Sequence, residues 1–262
     1  MGSDETRAVP PTAAVILVGN EILSGRTLDK NLQLIATALG GRGIGVKEAR
    51  VIPDDARIIR TTINELRAAT DFVFTTGGIG PTHDDITAEN VAAAFGVELH
   101  THPEAERILL DYFRERSVEP NEARMRMARV PVGAELIDNP VSIAPGFRIE
   151  NVYVMAGVPK IMQAMLDNIL PTLPQAQQLR SITVVCNLPE GTLAQPLAEL
   201  QREFPSVDIG SYPGNSAAGA QKGYRVALVA RDRDEETLDQ VKRALCDMVS
   251  RLGGEQIDSE SS

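Results

Sequence analysis

Asp71-Phe-Val-Phe-Thr-Thr-Gly-Gly-Ile-Gly-Pro-Thr-His-Asp-Asp-Ile-Thr87 decides how the rest of the chain is read. Asp71 to Thr75 is a short apolar and β-branched run of the buried-strand type. Glycines follow at 77, 78 and 80, and Thr87 to Phe95 has helical spacing. A strand that turns through glycines into a helix is one step of an alternating α/β chain. Glycine lets the backbone bend sharply and approach a ligand closely. The helix that follows directs N–H groups and the positive end of its dipole at the same space.

Working outward, the same step recurs. Ala13 to Val18 reads as a strand ended by Gly19-Asn20. Leu28, Leu32, Ile35 and Leu39 recur at helical spacing up to Gly40-Gly41, a helix stop. Val46 to Ile52 is a second strand, and Pro53-Asp54-Asp55 opens a helix carrying Ile59, Ile63 and Leu66. The order β-α-β-α-β-loop-α predicts parallel strands with helices on both faces. In such sheets ligands sit at the carboxyl ends of strands. Gly19-Asn20-Glu21, Pro53-Asp54-Asp55 and Gly77 to Asp85 are all such ends.

Helices are expected at 104–116 and 121–128, and strands at 134–137 and 147–155, with a loop through Asn139 to Phe147. Val158 to Leu170 is helical, with Ile161, Met165 and Ile169 on one face. Two prolines and a polar tract at 171–178 mark a boundary. Beyond it, strand 181–187, helix 192–204, strands 207–212 and 224–230 separated by Pro213-Gly214-Asn215-Ser216, and helix 235–252 form a small α+β unit. The predicted fold is therefore a three-layer α/β/α, mostly parallel sheet over 13–171 and a small α+β module over 179–254. A flexible lead-in over 1–12 and a disordered tail over 255–262 complete it.

The chain has 262 residues and a net charge of −10. An acidic chain lacks the basic field that bulk nucleic acid or an anionic membrane surface requires, so neither is an expected partner. No apolar run is long enough to span a bilayer, and the N-terminus lacks the pattern of a signal peptide. The two cysteines, Cys186 and Cys246, form no CxxC pair. A cytoplasmic protein is expected.

The 75–87 segment is not a Walker loop, for no Gly-Lys-Ser/Thr follows, and its glycine spacing is not that of a dinucleotide fingerprint. It suits an anionic ligand. A carboxylate beside a phosphate calls for a cation between them, so Asp84 or Asp85 suggests a hard metal such as magnesium. The plainer reading is a turn in which Asp85 or Thr87 caps the helix.

Thr76 to Thr87 is similar to the signature of the molybdopterin-binding (MoCF biosynthesis) domain family, which includes competence/damage-inducible protein A and the N-terminal domain of eukaryotic FAD synthase. The His83-Asp84-Asp85 variant resembles the FAD synthase branch. Gly19 to Leu23, Asn31, Val51 to Asp55, Ala144 to Phe147 and Gly157-Val158-Pro159 match in order, and Ile209 to Pro213 resembles the module that follows this domain in FAD synthase. The competence-protein branch usually has Gly-Pro-Pro where this chain has Gly157-Val158-Pro159. Nothing here resembles the FAD-forming or deamidase domains of relatives, so those activities are not expected.

The resemblance implies a pterin or nucleotide phosphate as ligand, with molybdopterin among the candidates. It implies a phosphate cradle of Gly77, Gly78 and Gly80, with Gly19, Glu21, Asn31, Pro81, Thr82, Thr87, Pro145, Gly146, Gly157 and Pro159 as further ligand-binding positions. It implies Asp54 and Asp85 as catalytic acids and Asp54, Asp84 and Asp85 as metal ligands. Some relatives hydrolyse the pyrophosphate bond of ADP-ribose or FAD. The expected enzyme is accordingly a metal-dependent nucleotide pyrophosphatase using magnesium, manganese or cobalt, with potassium. The alternative is a non-catalytic molybdopterin-binding or molybdenum cofactor biosynthesis protein. A homo-oligomer, dimer or trimer, is expected.

Several other residues have two readings. His83 could touch phosphate or simply sit in solvent. His100 and His102 lack the further ligands of a metal site. Arg124, Arg126 and Arg129 could attract an anion, but a solvated, salt-bridged face is the plainer reading. Lys160 could approach the site.

Overall fold

A computed structural model describes residues 9–213 and 226–257. The chain divides into two compact units after Gln177. In the first, β1 (Thr12–Val18), β2 (Gly45–Ile52), β3 (Phe72–Thr76), β6 (Glu135–Ile137), β7 (Gly146–Ile149) and β8 (Val152–Met155) form one sheet in the order β2-β1-β3-β8-β7-β6. The pairs among β2, β1, β3 and β8 are parallel, and β7 and β6 add antiparallel.

The period-two alternation of β1 builds both cores. Ala13, Val15 and Leu17 pack on one face with Ile35 and Leu39 of α2 (Asn31–Gly40) and Met162, Met165, Leu166 and Ile169 of α7 (Pro159–Ile169). Ala14, Ile16 and Val18 pack on the other with Ile59, Ile63 and Leu66 of α3 (Ala56–Ala69) and Val91 of α4 (Thr87–Phe95). Six consecutive apolar residues buried on both faces are what a central parallel strand needs. The result is the expected α/β/α layering.

The elements differ from the sequence reading in instructive places. Leu28 is 83% exposed, because α2 begins only at Asn31, where Asp29 accepts the backbone N–H groups of Asn31 (3.2 Å) and Leu32 (3.0 Å). The single strand expected over 147–155 is the hairpin β7–β8. It turns at Glu150, whose φ is +49°, and at Asn151, whose amide donates to the carbonyls of Arg67 and Thr70. A four-residue turn segment (α1, Asn20–Leu23) and a short antiparallel ribbon of β4 (Leu99–Thr101) with β5 (Arg129–Pro131) carry too few residues for a periodic signal. The helix expected over 104–116 is α5 (Pro103–Glu115). The one expected over 121–128 is the single turn α6 (Glu122–Met125) followed by a 3₁₀ turn at Arg126–Ala128.

In the second unit, β9 (Arg180–Cys186), β10 (Asp208–Pro213), β11 (Val226–Asp232) and β12 (Gln256–Ile257) form an antiparallel sheet ordered β10-β11-β9-β12. Helices α8 (Glu190–Glu203) and α9 (Glu235–Arg251) share its core, which includes Leu193, Leu200, Leu238, Val241 and Leu245. The tail expected from 255 gives way at its start: Gln256 and Ile257 pair with Cys186 and Val185 of β9. Residues 258–262, the first eight residues of the lead-in, and Gly214 to Ser216 with the start of the strand expected at Tyr224 lie outside the described residues. Among the described residues, no helix is long and apolar enough to cross a membrane. Both cysteines are free, Cys186 buried.

Candidate functional site

Four parallel neighbours deliver their carboxyl ends to one edge, at Ile52, Val18, Thr76 and Met155. The loops that leave this edge are tied together. Gly19 N–H donates to the Ile52 carbonyl (3.0 Å) and Gly77 N–H to the Met155 carbonyl (3.1 Å). Gly77 has φ +101°, and a Cβ on it would lie 2.2 Å from the Val18 carbonyl oxygen. Only glycine fits where two strand ends approach so closely. Gly157 approaches Gly77 in turn, its absent Cβ 3.2 Å from the Gly77 Cα.

The 77–87 loop is self-organised. Gly78, at φ +67°, leaves room for the Thr87 hydroxyl, which would stand 2.2 Å from a Cβ there. That hydroxyl donates to the Gly77 carbonyl (2.9 Å), and Thr87 N–H donates to the Gly78 carbonyl (2.9 Å). Thr87 is fully buried, so its expected ligand contact is corrected: it staples the loop instead. Asp85 Oδ2 accepts the Thr82 backbone N–H (2.8 Å) and lies 2.5 Å from the Thr82 hydroxyl, which also lies 2.6 Å from Asp84 Oδ1. One hydroxyl proton serves one of these carboxylates at a time. Contact with Thr82 holds the Asp84 carboxyl below its ordinary pKa, helped by its own backbone N–H and by His83. The His83 side chain is 97% exposed. No side chain caps α4, so neither Asp85 nor Thr87 acts as its cap.

Between this loop and the β4–β5 ribbon lies a narrow cleft lined by Gly78, Gly80, Asp85, Glu89, Arg126 and Arg129, with Pro145 and Phe147 at its base. Pro145 is delivered by the 139–145 loop. Asn139, which sequence reading passed over, organises that loop: its amide donates to Ser142 and the Ala144 carbonyl and accepts from Val141 and Ser142. Gly146 is corrected to a packing role, since a Cβ there would stand 2.4 Å from the Val154 carbonyl oxygen in the adjacent strand. Pro159 opens α7 at a position suited to proline. Pro81 is exposed on the loop, and Lys160 is exposed on the first turn of α7.

On the other face of the loop, Asn31 is 3% exposed. Its amide nitrogen donates to the Gly157 carbonyl (2.8 Å) and the Thr76 hydroxyl (3.3 Å). Its Oδ1 is buried with no hydrogen-bond partner. Asn139 closes all its bonds; Asn31 leaves an acceptor open, which ordinarily costs about 1–3 kcal/mol. The Glu21 carboxylate folds over Gly19, both oxygens 2.5 Å from where a Cβ would be.

Asp54 Oδ2 accepts Asn20 N–H (2.9 Å); the strand that precedes Asp54 and the one that precedes Asp85 have β1 between them, a strand spacing of roughly 10 Å. Asp55 caps α3 through Arg57 N–H and Ile58 N–H. Among the described residues, no three His, Cys, Asp or Glu side chains form a metal-holding group. Asp84 and Asp85 meet at the Thr82 hydroxyl. His102 accepts the Glu104 N–H at the start of α5 and stacks edge-on with His100.

Residues 14–175 match the family described as "Probable molybdopterin binding domain", and residues 178–253 match "FAD synthase, middle domain". A protein of Aeropyrum pernix is 33% identical over 96% of this chain and 98% of its own length. A CinA-like protein of Desulfosudis oleivorans is 32% identical over 95% of this chain, which spans 62% of that relative's length. The crystal structure of the protein CinA from Thermoplasma acidophilum superposes with a TM-score of 0.58 at 33% identity, covering 62% of this chain and 98% of that one. The chain therefore belongs to the molybdopterin-binding (MoCF biosynthesis) domain family, in its CinA-like branch, with a FAD synthase middle-domain module behind it.

Proposed function

We propose that the first unit binds a phosphate-bearing nucleotide or pterin at the carboxyl edge of its sheet and hydrolyses a nucleotide pyrophosphate bond of the ADP-ribose or FAD class. The observation that carries this reading is the cleft between the glycine loop and the β4–β5 ribbon, where Gly78, Gly80 and the uncapped first turn of α4 face Asp85. An uncapped first turn leaves backbone N–H groups for an anion.

The residues have separable tasks. Gly78 and Gly80 let phosphate oxygens approach the backbone. Asp85 is fixed through Oδ2 by Thr82, which leaves Oδ1 for ligand or cation. The Asn31 oxygen accepts a donor from the ligand or from an ordered water. Asp54 holds the Gly19–Glu21 turn through Asn20, so we assign it a positioning role. Asp84 and Asp85, with phosphate oxygens and water, form the hard oxygen set that magnesium, manganese or cobalt takes. Such a cation, when bound, offsets charge developing on phosphorus and lowers the pKa of a bound water. In hydrolysis one P–O bond forms to water, the bridging P–O bond breaks, and the water's proton leaves to solvent. The products are AMP and a second phosphorylated fragment.

The non-catalytic reading, a molybdopterin-binding or cofactor biosynthesis protein, has one observation in its favour: each of the three loop glycines and Asp85 already serves the loop's own packing. A panel of ADP-ribose, FAD, NAD and ATP, with each metal and with or without potassium, separates the two. Turnover to AMP that is lost in Asp85→Ala supports hydrolysis. Binding without turnover under every condition supports the carrier. Sedimentation analysis would establish whether the working unit is a dimer or trimer.

A further inference from the structure

Three arginines lie close together in sequence, and the fold separates them. Arg124 is committed: its Nη1 donates to the Glu119 carbonyl (2.7 Å) and its guanidinium lies 5.9 Å from the Phe113 ring centre. Arg126 and Arg129 are placed differently, because the backbone from 126 to 128 is a 3₁₀ turn. Arg126 opens that turn and Arg129 opens β5, and both line the cleft together with Gly78, Gly80 and Asp85. Among the described residues neither guanidinium makes a hydrogen bond, an ion pair or a ring contact. Arg126 is half-buried in this state.

A guanidinium carries five donors in a rigid fork, and two of them lining one cleft without a protein partner are available to an anion. The carboxylates sharing the cleft, Asp85 and Glu89, come within ion-pair distance of neither arginine, and Asp85 Oδ2 is engaged by Thr82. The cleft thus brings loop backbone, the uncapped first turn of α4 and two guanidinium groups to one space.

We infer that Arg126 and Arg129 are specificity-determining residues that grip a phosphate group of the ligand in the cleft they share with the glycine loop. This rests on the phosphate-binding reading above and adds the cationic half of the site. A fork that meets two oxygens of a tetrahedral anion favours phosphorylated over neutral ligands. Asp85 remains for a cation bridging to the same phosphate.

Calorimetric titration of the full chain with inorganic pyrophosphate and with ADP-ribose, without divalent metal so that binding is read free of turnover, tests this. Arg126→Gln and Arg129→Gln should each raise Kd about tenfold for both ligands, as loss of a charge-assisted bond requires. Arg126→Lys, which keeps charge but not the fork, should fall between wild type and Arg126→Gln. Arg124→Gln should bind as wild type does. Exposed Arg129 serves as the second variant should Arg126→Gln fail to fold. Unchanged affinity in Arg126→Gln and Arg129→Gln, with wild type binding, overturns the arginine assignment alone. Equal weakening in Arg124→Gln overturns it too, as a general charge effect. Failure of wild type to bind either ligand overturns the phosphate reading and this one with it.

Discussion

The two units use strands in opposite ways. In the first, β2, β1, β3 and β8 run parallel, so four successive loops leave from one edge and Gly19, Asp54, Gly77 and Gly157 all emerge there. In the second, every pair among the described strands is antiparallel, so neighbouring strands end on opposite edges and the strand ends are shared out, β9 and β10 to one edge and β11 and β12 to the other. The first unit leaves an acceptor of Asn31 unsatisfied and two arginines unpaired beside a cleft. The described second unit spends its residues on a core: β11 alternates buried and part-buried residues along its length, and α9 turns Leu238, Val241, Leu245 and Val249 inward. Parallel order concentrates chemistry; antiparallel order with helices on it builds a module.

The sharpest way to break this contrast is by glycine. Gly77→Ala places a Cβ 2.2 Å from a backbone oxygen at φ +101°, so it should cost roughly 3 kcal/mol or more, read as a lowered urea midpoint of the first unit. Its counterpart in α8, Gly191, has nothing within 4 Å of an added Cβ. Gly191→Ala should instead stabilise the second unit by about 0.5–1 kcal/mol. Leu245→Ala should destabilise the second unit by about 2–5 kcal/mol, while ADP-ribose still binds the first; loss of that binding would show that the units do not divide the labour as described.

Asn31→Ala sharpens the first unit alone. It removes the bond to Gly157 and the open acceptor together, and should weaken ADP-ribose binding about tenfold with a smaller change in thermal midpoint. The smallest effect is one of pH. Thr12 N–H and its hydroxyl, both donating to Asp71 Oδ2, hold the Asp71 carboxyl below its ordinary pKa. A depressed folded pKa contributes stability that is present above the unfolded value and lost as pH falls through the folded one. Asp71→Asn should flatten that acid limb slightly, solvent screening keeping the effect modest.

Much of this was legible in the residues. Six apolar residues at 13–18, turn residues after each strand (Gly19-Asn20, Pro53-Asp54, Gly77-Gly78) and helical spacing between them define the α/β/α order. Glu21, Asp54 and Asp85 were expected beyond strand carboxyl ends, and the structure has them there. Other features lay beyond periodicity. The turn at Glu150-Asn151 interrupts an otherwise strand-like run, and what holds it is a bond from Asn151 to Arg67 and Thr70, more than 80 residues away in sequence. Thr87 looks like a ligand residue beside a glycine loop, yet its neighbour in space is the Gly77 carbonyl. Asp54 and Asp85 share an edge, but strand order, which spacing does not encode, puts β1 between the strands that precede them. Arg126 and Arg129 read as a solvated face; in the structure Arg129 is exposed, Arg126 is half-buried, and both line the cleft, Arg126 at the head of a 3₁₀ turn where a helix through 128 was expected.

The most direct test of the central claim is amide hydrogen exchange across the full chain, with and without ADP-ribose and magnesium. The account predicts slowed exchange at residues 77–89 and 126–130, with 180–213 and 226–257 unchanged. Protection confined to the second unit, or protection nowhere at saturating ligand, would contradict it.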